Sequence, residues 1–211
     1  MKNTTVWIKL FPLLFGFFVM GFVDVVGIAT NYVKNDFLLS DTLANLIPMM
    51  VFLWFAVFSI PAGMMMCSIG KRNTVLFSMG ITVTSMCLPL ASYNFISLLF
   101  AFALLGISNT ILQVSLNPMV AQIVPNNKTA SVLTLGQFIK AISSFLGPVI
   151  AGTAASYWGD WKLIFIVYAV ITLLAAIWLG LTVESEEEQK GHSTTFCSVF
   201  SLFADKTILY M

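Results

Sequence analysis

Charge is the scarcest ingredient of this 211-residue chain: Asp, Glu, Lys and Arg together make up 9% of it, and the net charge is +1. A water-soluble domain carries about 25%. So few charges cannot coat a soluble fold. The 59% of hydrophobic residues and the mean hydropathy of +0.95 point to a bilayer as the solvent. With no basic tract, nothing in the chain offers nucleic acid a grip. Histidine occurs once, at His192, and the three cysteines, Cys67, Cys87 and Cys197, are far apart with no CxxC pair. That leaves neither a disulfide framework nor a His/Cys metal centre to propose. G-x-S-x-G, HExxH and paired intramembrane carboxylates are also missing, so neither an enzyme nor a bound cofactor is expected.

What is present is length of apolar run. A spanning helix needs about 20 mostly apolar residues. Six segments qualify: Ile8–Tyr32, Leu43–Met66, Thr74–Ala91, Phe95–Val124, Ala130–Tyr157 and Trp161–Val183. Each break between them has a cause. "VKNDFLLSDT" carries Lys34, Asp36 and Asp41; "CSIGKRN" carries Gly70, Lys71 and Arg72; "SYN" is a polar turn; "PNNKT" holds Pro125 and Lys128; "WGDW" holds Gly159 and Asp160. Lys2, Lys9 and the apolar run after them imitate a signal peptide, but no small-x-small cleavage pattern follows, so this run is expected to stay as the first span. With the N-terminus inside, Lys2, Lys9, Lys71, Arg72, Lys128 and Lys190 all fall on the cytoplasmic face. That distribution predicts cytoplasmic ends. The sequon Asn127-Lys128-Thr129 then lies on the cytoplasmic side and is read as chance.

Residues 1–183 are therefore expected to form one six-helix bundle. Residues 184–206, beginning "ESEEEQKGHSTT", read as a cytoplasmic linker, and residues 207–211 read as the start of a truncated second half.

Polar groups inside the spans are few and patterned. Asp24 and Lys140 each cost about 2.5–3.5 kcal/mol at a lipid-facing helix centre, so both are expected to face other helices or a wet cavity, along a transport path or as a charge pair. "GISNTILQVSLNP" places Asn109, Gln113 and Asn117 at i, i+4, i+8, one narrow stripe of the fourth span. Amides offer donors and an acceptor together, which suits a neutral polyhydroxyl ligand. The plainer reading is glue between helices. Gln137, Lys140 and Ser144 share a face of the fifth span, and Asp24, Gly27 and Asn31 one of the first. Three helices thus each bring a polar stripe. Pro118 and Pro148 are expected to bend their helices near the ends.

The stretches "GFVDVVGIATNYVKNDF", "SIPAGMMMCSIGKRNTV", "LGISNTILQVSLNPMV" and "LTLGQFIKAISSFLGP" resemble the major facilitator superfamily, within it the fucose–galactose–glucose:proton symporter branch. The resemblance implies an all-α membrane fold of twelve helices in two halves, this chain being the N-terminal one, with substrate held between the halves. It implies a sugar and a proton as partners, alongside the lipid bilayer and a C-terminal half, in the cell (inner) membrane. The loop after the second span resembles the superfamily pattern G-x-x-x-D-x-x-G-R/K-R/K through Gly63, Gly70, Lys71 and Arg72, a conformational loop, with Cys67 in place of the acid. Gln113 stands where that branch has a proton-coupling carboxylate, and Asp24 sits at the other end of its N-x-x-D pattern. Asp24 and Lys140 then become the proton-coupling residues or charge pair, and Asn109, Gln113, Asn117, Gln137 and Asn31 the sugar contacts. A six-span channel lacks its second Asn-Pro motif here, and a half-size carrier acting as a dimer is the other alternative.

Overall fold

The computed structural model describes residues 2–183, with side chains from residue 8 onward. The predicted linker and truncated second half, residues 184–211, lie outside the described residues. Among the latter there are only helices, and six runs are long and apolar enough to cross a membrane: Ile8–Asp36, Asp41–Ile69, Lys71–Ala91, Phe95–Ile123, Asn126–Trp158 and Leu163–Thr182, here spans one to six. Span one is two α-helices, α1 (Lys2–Met20) and α2 (Val25–Asp36), joined by a 3-10 turn at Gly21–Asp24. Its helix runs on through Lys34, which composition had assigned to the loop. Span five starts at Asn126, four residues before its predicted start, because "NNKT" has no residue that stops a helix. Pro118 and Pro148 both sit inside continuous helices.

Local chemistry explains the ends. Gly70, at φ +80, turns the chain between spans two and three, a conformation open to glycine. Asn94 caps span four by accepting the Ser97 N–H at 2.7 Å. Gly159, at φ +70, closes span five with its N–H on the Ala155 carbonyl.

Span four is the hub. It packs against spans two, three and one, while span one also meets spans five and six, and span three meets span six. Without a hydrophobic force between helices in lipid, close approach and buried hydroxyls hold such a bundle. Gly106 lets span four press onto the Val51 backbone of span two, and Gly136 receives the Phe17 ring. Thr82 donates to Ser108 at 3.0 Å, and Ser85 to the Ala101 carbonyl at 2.8 Å, joining spans three and four. Phe100, Phe145, Leu174 and Leu181 are exposed on the outside, as lipid-facing residues are. Spans one and four are the most enclosed, and spans two and five have the most open faces.

Each end of the bundle has a clasp. At one, Asp36 Oδ2 accepts from the Tyr93 hydroxyl at 2.5 Å and from Trp161 Nε1 at 3.0 Å. Tyr32 stacks on Trp161, and the Lys162 ammonium sits 4.5 Å over the Tyr93 ring. At the other, Arg72 donates to the Gly180 carbonyl at 2.6 Å near the end of span six, and Lys71 to Gln122 Oε1 at 2.5 Å.

The first clasp has a pH signature. Burial first, then the hydrogen bond to Asp36 and its charge, push the Tyr93 phenol well above its usual range. A raised acid favours the fold while protonated, so this contribution is complete below about pH 10 and is lost as pH climbs further. Near-ultraviolet circular dichroism of the aromatics should hold from neutral to about pH 10 and decline above it. The decline should shrink in Tyr93→Phe.

Candidate functional site

Helical phase fixes where the fourth-span amides look. Leu116 points at Gly16 of span one, while Gly106 meets Val51 and Thr110 donates to the Phe55 carbonyl of span two at 3.2 Å. At about 100° per residue, Asn109 and Gln113 fall in the sector between those two neighbours, and Asn117 at its edge, on the side of span two. Asn109 is 6% exposed, and Gln113 and Asn117 are half-buried. Asn109 Oδ1 and Asn117 Oδ1 are buried with no hydrogen-bond partner, and Gln113 makes no side-chain hydrogen bond. An unpaired buried acceptor costs about 1–3 kcal/mol. Amides acting only as glue between helices would be paired.

The opposite side of span four is apolar. Leu104, Ile107 and Ile111 line a groove of about 270 Å³ with Phe58, Met65 and Ile81 from spans two and three. A second groove of about 380 Å³ opens beside it at Gly80. Neither groove is lined by any of the predicted site residues.

Spans one and five meet along a tight seam. Phe17 lies on Gly136, and a Cβ at Gly21 would stand 2.6 Å from both the Lys140 carbonyl oxygen and Ser143 Cβ. One turn further, Asp24 Oδ2 accepts from the Ser144 hydroxyl. Asp24 and Lys140 form no ion pair. The carboxylate takes a hydroxyl from span five, and Lys140 enters through its backbone carbonyl, 3.0 Å from Ser144 Oγ. Asn31 and Gln137 are exposed and make no side-chain hydrogen bond. Among the described residues, no hydrogen bond joins the fourth-span amides to Asp24, Lys140 or Gln137. Of the residues expected to form a conformational loop, Gly63 lies inside the helix of span two with open space beside it, Gly70 makes the turn, and Lys71 and Arg72 open span three and form the second clasp.

The sequence places Ser144 on the polar face of span five but does not pair it with Asp24, and it does not single out Gln122. Ser144 carried a signal, its i+4 spacing from Lys140; Gln122, far from Lys71 in sequence, carried none.

Apolar spans arranged round a seam of polar side chains define a multi-pass, all-α membrane protein. The chain belongs to the Major Facilitator Superfamily, whose sequence profile matches residues 12–209. It is 31% identical over 137 residues to a glucose/galactose transporter of Brucella abortus, covering 63% of this chain and 33% of that protein. It is 27% identical over 185 residues to a hexuronate transporter of Bacillus subtilis, covering 84% and 43%. In fold it resembles the E. coli fucose:proton symporter, with a TM-score of 0.72 at 14% identity over 95% of this chain and 56% of that one. A peptide transporter matches equally well, at 0.72 and 18% over 95% and 44%. The chain thus spans about a third to a half of the length of these curated relatives.

Proposed function

We propose that this chain is the N-terminal half of a secondary active transporter. It moves a hexose or deoxyhexose, such as fucose, galactose or glucose, together with a proton across the cell (inner) membrane by alternating access. The observation that carries this reading is the pair of unpartnered carbonyl oxygens, Asn109 Oδ1 and Asn117 Oδ1, on one face of the most central helix. A sugar hydroxyl satisfies such an acceptor and can accept from the same amide's NH₂. The names of the glucose/galactose and fucose relatives support it. Asp24 takes the proton, and its neutralisation lowers the barrier to rocking of the two halves. The open faces of spans two and five receive the second half, and the N-terminus and the stretch after span six lie in the cytoplasm.

Lys140 favours a second reading. Its ammonium has no acidic partner among the described residues, and a sugar carboxylate would supply one. The hexuronate relative agrees with that chemistry.

The test is uptake of labelled hexoses and hexuronates by the protein and by its near-isosteric variant Asn109→Leu. Uptake should fall about tenfold, as expected from one lost hydrogen bond to the ligand, while thermal stability holds or rises. Unchanged uptake, or a loss of stability that marks the amide as glue, would count against the reading.

A further inference from the structure

Asp24 ends the 3-10 turn that interrupts span one, and such a turn inside a helix often marks a hinge. The turn lies so tightly against span five that only glycine at position 21 fits beside the Lys140 carbonyl. Ser144 stands at that point with two acceptors in reach: Asp24 Oδ2 across the seam and the Lys140 carbonyl oxygen, 3.0 Å away on its own helix. A hydroxyl has one proton and cannot serve both at once.

We infer that Ser144 is a positioning residue that converts the protonation state of Asp24 into a change in span five. The inference rests on the proposed role of Asp24. With Asp24 ionised, the Ser144 proton points across to the carboxylate and ties span five to the hinge. When a proton from water adds to Asp24, the new carboxylic O–H becomes the donor and Ser144 Oγ the acceptor. The Ser144 proton then swings to the Lys140 carbonyl. That second arrangement is an i−4 back-bond of the kind that bends helices. One proton gained by Asp24 therefore reverses a hydrogen bond between spans and adds one within span five; no other bond is made or broken. Of the other titratable groups on the neighbouring helices, Lys140 is carried by span five, and Tyr168 of span six stacks its ring on Phe22 of the turn at 3.7 Å. Span four contributes none.

Infrared difference spectra between alkaline and acid pH, taken on the chain in lipid vesicles, test this directly. Asp24→Asn identifies the carboxylic C=O band of Asp24 by its loss. In Ser144→Ala that band should move to the higher frequency of an acid without a partner, and in Ser144→Thr it should stay in place. A band that Asp24→Asn removes but Ser144→Ala leaves unmoved would overturn the relay and leave Asp24 as the coupling group. If no band belongs to Asp24, the relay and the coupling role fall together.

Discussion

Vesicles carrying the Asp24→Asn protein are expected to lose accumulation of hexose driven by a pH gradient, by at least about tenfold. Exchange of labelled for unlabelled sugar should survive. The split follows from where Asp24 sits. Among the described residues it is the one carboxylate away from the span ends, at the end of the 3-10 turn in span one and hydrogen-bonded to span five. An amide keeps that hydrogen bond and the shape of the turn but cannot take up a proton. Transport of sugar alone then remains, and the proton no longer pushes it uphill. The Ser144 hydroxyl can still donate to the asparagine carbonyl, so the variant should fold. Full proton-driven accumulation by Asp24→Asn would remove Asp24 from the mechanism.

The second large effect is structural. Gly106→Leu is expected to eliminate most of the folded protein, and Gly106→Ala to cost about 1–3 kcal/mol, the range for overpacking a tight contact. A Cβ at Gly106 would stand 2.3 Å from the Val51 carbonyl oxygen, which belongs to the backbone of span two and cannot rotate aside. Separating the helices would also stretch the bond from Thr110 to the Phe55 carbonyl, one turn along the same contact. Gly80→Ala and Gly152→Ala are the matched controls, since nothing lies near either position. Thermal unfolding in detergent, followed by gel filtration, measures all four. Equal stability of Gly106→Ala and Gly80→Ala would refute the close packing of spans two and four.

The spans themselves were legible because their signal is local. Hydropathy and the charges at Lys34, Lys71 and Asp160 mark where the chain leaves the hydrocarbon, and the structure adjusts those limits by a few residues. The stripe of Asn109, Gln113 and Asn117 was legible as well, since helical phase alone puts the three on one side. What composition could not supply were the partners. Ser144 for Asp24, Gln122 for Lys71 and Trp161 for Asp36 come from distant stretches of chain and depend on how the helices pack. The 3-10 turn at Gly21–Asp24 left no trace in the sequence either, because Gly21 is one of three glycines, with Gly16 and Gly27, in an apolar run that reads as unbroken helix. Gly21 takes its meaning only from the neighbour it admits.

Sugar transport through this half requires that the fourth-span amide face be a wet, ligand-occupied surface. Gln113→Cys, in a protein whose Cys67, Cys87 and Cys197 are changed to serine, tests it most directly. A charged, water-soluble thiol reagent should label position 113, and a saturating transported sugar should slow the labelling several-fold, whereas a non-transported polyol should not. A cysteine at 113 that stays unreactive in folded protein, or reacts at the same rate with every sugar and sugar acid tried, would contradict the account.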